Sequence, residues 1–87
     1  MAQVVLPLLL AKELGGRREF RVSGNSVEEL VQAIEVECPG FRQKLCNGER
    51  LRPIYRIVID GQIAPEGLAS RVSENSNVEI LPAFGGG

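Results

Sequence analysis

A single stretch does most to limit what this chain can fold into. Ser26 is followed three residues later by Glu29, the spacing at which a serine hydroxyl accepts from a first-turn N–H while the glutamate reaches back toward the start of a helix. Val27, Leu30, Val31, Ile34 and Cys38 then stand at i, i+3, i+4, i+7 and i+11, which places them on one apolar stripe of an amphipathic helix. Pro39-Gly40 closes it. One helix of this kind needs a surface to bury its stripe, and the other strongly patterned segments read as strands, so the chain lays a helix on a sheet.

Those segments are short and well punctuated. Gln3 to Leu6 is apolar and β-branched, and Pro7 then removes a ladder donor and ends or kinks the strand. Gly15-Gly16 marks a turn, after which Glu19, Phe20, Arg21 and Val22 alternate as a half-buried strand does. The pair predicts a hairpin with a loose loop. Ser23-Gly24-Asn25 turns the chain into the helix, and beyond it Phe41 and Leu45, four apart, predict a further helical turn before Asn47-Gly48 breaks the chain. Ile54 to Ile59 is a strand, and Asp60-Gly61 a tight turn into the short Gln62-Ile63 segment. After Pro65-Glu66-Gly67, Leu68 plugs the core, and Val78 to Leu81 forms the last strand, which Pro82 stops. The order strand, strand, helix, strand, short strand, strand is an α+β arrangement, for which a β-grasp with a mixed sheet and one main helix on one face is the compact solution. At 87 residues there is one core to build, so the expected division is a domain over residues 1–82 and a flexible glycine tail over 83–87.

Composition excludes several functions. A net charge of −1 opposes nucleic acid, whose phosphates need an excess of Lys and Arg. The basic stretch Arg42, Lys44, Arg50, Arg52 and Arg56 follows the acidic Glu28, Glu29, Glu35 and Glu37, which reads as a solvated surface, with a partner-docking patch as the alternative. The apolar run from Val4 to Leu10 is too short to span a bilayer and has no basic residues ahead of it. Neither a signal peptide nor a membrane partner is expected. Cys38 and Cys46 lack a CxxC spacing, and a reduced, cytoplasmic setting follows as the expectation.

Candidate chemistry narrows quickly. There is no His, which removes the usual neutral-pH base and the commonest metal ligand, so no metal site is expected. Glu28 and Glu29 fall in the first helical turn, where negative charge favours the helix dipole. Cys38 lies on the apolar stripe, and neither cysteine has a His to activate it. Gly85-Gly86-Gly87 is no phosphate loop, because no helix follows it. What remains is Leu81-Pro82-Ala83-Phe84-Gly85-Gly86-Gly87, a strand end followed by an aromatic and three glycines. Residues without Cβ atoms enter a channel too narrow for others, and from Ala83 to Gly87 an extended chain reaches at most about 17 Å. Phe84 would anchor such a tail in a partner. The terminal carboxylate, ionised at pH 7, becomes an acyl electrophile only after activation, for which adenylation is the natural chemistry.

These residues resemble the ThiS/MoaD family of ubiquitin-like sulfur carriers. The resemblance covers nearly the whole chain and is most specific over Ile80 to Gly87, supported by Ile57-Val58-Ile59-Asp60-Gly61; Leu6-Pro7 with Gly15-Gly16 is also similar to the carriers that donate sulfur for cysteine synthesis. It implies that a partner adenylyltransferase similar to ubiquitin-activating enzymes, using ATP and Mg, forms an acyl-adenylate at Gly87. Sulfur from a donor protein then gives a thiocarboxylate, which serves a sulfur-accepting biosynthetic enzyme. The chain would be a cosubstrate, not an enzyme, and would bind no cofactor itself. Gly86 and Gly87 match the family's terminal pair, Gly85 stands where alanine or another small residue is common, and Phe84, Leu81 and Pro82 would pack at the partner interfaces. The alternatives are the small subunit of molybdopterin synthase, a ubiquitin-like modifier joined to protein lysines, and a plain β-grasp interaction domain.

Overall fold

In the computed structural model, which describes residues 1–83, the first apolar run divides at Pro7. Ala2–Val5 forms β1, with Ala2 and Val4 buried. Pro7 is extended (φ −67°, ψ 150°) and caps a five-residue helix, α1 (Leu8–Lys12). The loose loop expected here is therefore partly helical, and the cause is local: Leu, Ala and Lys are good helix formers, and the turn of helix buries Leu10 and Ala11. β2 (Glu19–Val22) then pairs antiparallel with β1, from Ala2 opposite Val22 to Val5 opposite Glu19. The predicted hairpin is present.

The main helix, α2 (Val27–Glu37), starts as the sequence predicts. Ser26 Oγ accepts from Glu29 N at 3.2 Å, and Glu29 Oε1 in return accepts from Asn25 N at 2.8 Å. Gly24 is held close to this first turn: a Cβ there would stand 2.9 Å from the Glu29 Cβ and 3.2 Å from Leu30 N, so only glycine lets the chain approach the turn so closely. Val27, Leu30, Val31 and Ile34 are buried, whereas Cys38 lies just past the helix as its cap and is half-buried. The buried stripe is thus one residue shorter than predicted. Gly40, in the left-handed region at φ 99°, leads into α3 (Phe41–Leu45), the additional helical turn expected from the spacing of Phe41 and Leu45.

Asn47-Gly48, read from the sequence as a break, is part of a small hairpin of β3 (Cys46–Asn47) and β4 (Arg50–Leu51). β5 (Tyr55–Ile59) begins one residue later than predicted and turns through Asp60-Gly61 into β6 (Gln62–Ile63). A 3-10 turn at Gly67–Ala69 buries Leu68, and β7 (Asn77–Pro82) completes the sheet. Its order is β2-β1-β7-β5-β6. β7 runs parallel to β1 and antiparallel to β5, and the parallel pair needs the long crossover that the intervening chain supplies. One face of the sheet contributes Val4, Phe20, Val22, Ile57, Val78 and Ile80 to the core, together with the buried side chains of α2 and α3. Phe20 and Phe41 meet there in a tilted pair with centroids 6.3 Å apart. This is the mixed-sheet β-grasp anticipated from the element order.

Candidate functional site at the root of the C-terminal tail

The described chain ends on a central strand. β7 lies between β1 and β5, and its last pairs set Leu81 opposite Arg56 and Pro82 opposite Tyr55. Pro82 has no N–H to give, and the next residue restores the ladder: Ala83 N donates to Ile54 O at 2.7 Å. The tail root is thereby fixed at one place on the sheet. Alternation along the strand decides what each side chain does. Val78 and Ile80 face the core, whereas Leu81 turns to the opposite face and is 40% exposed. Pro82 is exposed at the sheet end. Of the residues singled out in the sequence, Leu81 and Pro82 therefore stand together at this root but on opposite faces of the strand; Phe84, Gly85, Gly86 and Gly87 lie outside the described residues.

Beside the root is a groove that the sequence did not reveal. Because β1 and β7 are parallel, with Val5 opposite Glu79, the chain leaving β1 enters α1 at the end of the sheet where β7 finishes. Pro7, Leu8, Leu9, Leu10, Ile54, Tyr55 and Pro82, with Glu13 at the margin, line a groove of about 380 Å³. Its walls are mostly hydrocarbon. Leu8, Leu9 and Ile54 are 53%, 71% and 48% exposed, so this part of the surface is more apolar than solubility requires. One signal was available: four consecutive apolar residues, Leu8 to Ala11, cannot all face inward on a helix turning about 100° per residue. Tyr55 forms the inner wall, and burial, with Glu13 nearby, pushes its phenol above the ordinary value.

The rival sites resolve into structure. Arg42 donates to both carboxylate oxygens of Glu28, at 2.5 and 3.0 Å, and these hydrogen bonds hold Glu28 below the usual carboxylate range. Glu35 accepts the N–H groups of Arg42 and Gly40 at 2.8 and 2.9 Å, which lowers its pKa in the same way and ties α3 to α2. Further ion pairs join Arg17 to Glu37 and Lys44 to Glu13. The acidic and basic stretches thus partly neutralise each other across the helices. The Cys46 thiol is pushed up by burial, away from thiolate chemistry, and Cys38 Sγ lies 3.8 Å from Leu14 O. Among the described residues no cluster of three or more His, Cys, Asp or Glu is placed to hold a metal ion. No described helix is long and apolar enough to cross a membrane.

The five-stranded sheet, the long helix α2 and the exposed end of the central strand define a ubiquitin-like β-grasp protein. More narrowly, residues 11–87 match the model of the ThiS family, and the chain belongs to that family. It is 26% identical over 89 residues to the sulfur carrier protein CysO of Mycobacterium tuberculosis, an alignment covering 97% of this chain and 96% of the relative. Its structure is similar to a chain in the crystal structure of the Amycolatopsis orientalis BexX/CysO complex, with a TM-score of 0.88, 25% identity and full coverage of both chains. The crystal structure of M. tuberculosis CysO gives a TM-score of 0.84 at 22% identity, covering 97% of this chain and all of the other.

Proposed function

We propose that this chain is a sulfur carrier whose Gly87 is adenylated and then converted to a thiocarboxylate. The observation that carries this reading is the ThiS-family match over residues 11–87. The structure supports it by fixing the tail root: the Ala83 to Ile54 hydrogen bond sets where the last four residues begin, and the extended reach of about 17 Å over residues 83–87 limits how deep a partner's active site can lie.

A Gly87 carboxylate oxygen attacks the α-phosphorus of ATP, held with Mg in an adenylyltransferase of the kind that activates ubiquitin, and pyrophosphate leaves. A hydrosulfide ion delivered by a sulfur donor protein then adds to the acyl carbon. The bond from that carbon to the AMP oxygen breaks, AMP departs, and the proton passes to water, leaving the thiocarboxylate. Activation is needed because a carboxylate does not accept a nucleophile by itself, and glycine is suited because no side chain crowds the carbonyl. The chain is the cosubstrate of these steps, within the cytoplasm, and its sulfur passes to a biosynthetic enzyme making cysteine, a cofactor or a specialised metabolite. The relatives named sulfur carrier protein CysO favour the sulfur-carrier reading. Leu81, Pro82 and Phe84 form the docking surface, Gly85 and Gly86 give access, and Gly87 reacts.

Deleting Gly87 tests this reading. The shortened chain still ends in two glycines, yet its carboxylate is withdrawn by about 3.3–3.6 Å. Sulfur transfer is expected to be lost with an unchanged circular dichroism spectrum; full transfer by the shortened chain would refute the assignment of Gly87.

A further inference from the structure

β2 is the outer strand of the sheet, and alternate residues along it turn their backbone groups away from the chain. Leu6 N donates to Arg18 O at 2.8 Å, and Val4 stands opposite Phe20 and Ala2 opposite Val22. Phe20 and Val22 therefore exchange hydrogen bonds with β1, whereas Glu19 and Arg21 point their N–H and C=O groups outward. Gln3 N, which donates the other way to Ser76 O, fits the same alternation. Among the described residues, the one hydrogen bond to this edge comes from Arg17, whose Nε donates to Glu19 O at 2.9 Å. Its guanidinium lies 4.2 Å above the Phe20 ring and pairs with Glu37 at 3.0 Å. The Glu19 N–H and both main-chain groups of Arg21 have no described partner. The other edge, β6, is two residues long; β2 offers four residues and no proline, a template on which another strand can form.

We propose that this edge pairs with β2 of a second copy of the chain, antiparallel about a two-fold axis at Phe20. Charge selects both the partner and the register. Only the outward-facing residues can exchange hydrogen bonds across the edge, so Glu19 and Arg21 of one copy must meet Glu19 or Arg21 of the other. Centring the pair on Glu19 sets two glutamates opposite each other, and centring it on Arg21 sets two arginines opposite, both unfavourable. Centring it on Phe20 sets each Glu19 opposite Arg21 of the other copy, with both side chains on the exposed face of the sheet. Main-chain hydrogen bonds then run in both directions, with a cross-strand ion pair on either side of the axis. A segment with Glu and Arg flanking one residue is self-complementary, as a two-fold interface requires. Each copy must first release Arg17 from Glu19 O, and the exposed ion pair that holds Arg17 costs little to break. Arg17 is thus the cover of the edge. Because β1 separates β2 from β7, the tail root stays clear of the pairing, which holds whether or not Gly87 is ever thiocarboxylated.

An interface this small is weak and transient, so the full chain is studied at about 1 mM. Sedimentation that rises toward a dimer with concentration is expected, with amide resonance shifts centred on Glu19 and Arg21. Arg17→Ala should tighten the pair by about 5- to 30-fold, since neither copy then has a cover to release. Arg21→Glu and Glu19→Arg, both at exposed positions, should each abolish pairing by setting like charges opposite. The double exchange, Glu19→Arg with Arg21→Glu, keeps the net charge and should restore it, and circular dichroism of every variant should match that of the unaltered chain. A chain that stays monomeric at this concentration even with Arg17→Ala overturns the proposal. So does a dimer that neither single exchange weakens, or one whose shifts fall on Leu8, Leu9 and Ile54, which would put the contact at the apolar groove. Failure of the folded double exchange to pair would equally refute the register.

Discussion

Among the described residues are two five-residue helices, and they use their apolar side chains in opposite ways. α3 buries Phe41 and Leu45 completely and is tied to α2 through the Glu35 hydrogen bonds to Gly40 and Arg42. α1 buries Leu10 and Ala11 but leaves Leu8 and Leu9 in water beside Ile54 and Pro82. Neither helix is long enough to be stable alone, so tertiary contacts hold both. The difference teaches that α3 belongs to the fold, whereas α1 carries apolar surface in excess of what the fold needs, placed where the tail leaves the sheet.

The comparison can be broken most severely at Phe41. Phe41→Ala leaves a cavity against Phe20 and should cost about 3–5 kcal/mol, read as a lower denaturant midpoint; a loss under 1 kcal/mol would remove α3 from the core. Next in size is Glu35→Gln: the two carboxylate oxygens accept one N–H each, the single amide oxygen can keep only one of them, and the NH2 is left facing the other, at about 1–2 kcal/mol. The sign of its pH dependence follows from the lowered pKa of Glu35, and of Glu28 beside it. Because the folded values lie below the unfolded value of about 4.3, their stabilisation is fully present above that pH and is lost as pH falls through the folded values. Glu35→Gln should therefore flatten the acid side of the stability profile, and an unchanged acid limb would show that this carboxylate does not tie the helices. Arg17→Ala removes an exposed ion pair with Glu37 and a guanidinium 4.2 Å above the Phe20 ring, together worth about 0.5–1 kcal/mol. The smallest change is expected at α1: Leu9→Ser should alter stability by no more than about 0.5 kcal/mol, and a loss comparable to that of Phe41→Ala would erase the contrast between the two helices.

Much of the fold was legible because periodicity carried it. The stripe of α2, the alternation in β2 and the β-branched runs of β5 and β7 each name their element and its buried face. α1 was not legible, since Leu8-Leu9-Leu10 has no period and reads equally as an extension of β1. The β3–β4 hairpin was missed because two-residue strands are too short to show alternation. For the site, Leu81 and Pro82 stood out by their position before the glycines. Leu8, Leu9 and Ile54 did not, because only the parallel pairing of β1 with β7 brings the first helix to the last strand, and no local pattern encodes a contact between residues more than 70 positions apart.

The central claim is that the chain works through the carbonyl of Gly87. Intact-mass analysis of the full chain incubated with ATP, Mg, its adenylyltransferase and a sulfur donor tests it most directly. The account predicts a gain equal to the replacement of one oxygen by sulfur, confined to the C-terminal residue. An unmodified carboxylate with every activating enzyme of this class from the same cell, under conditions in which those enzymes activate their own carriers, would contradict it.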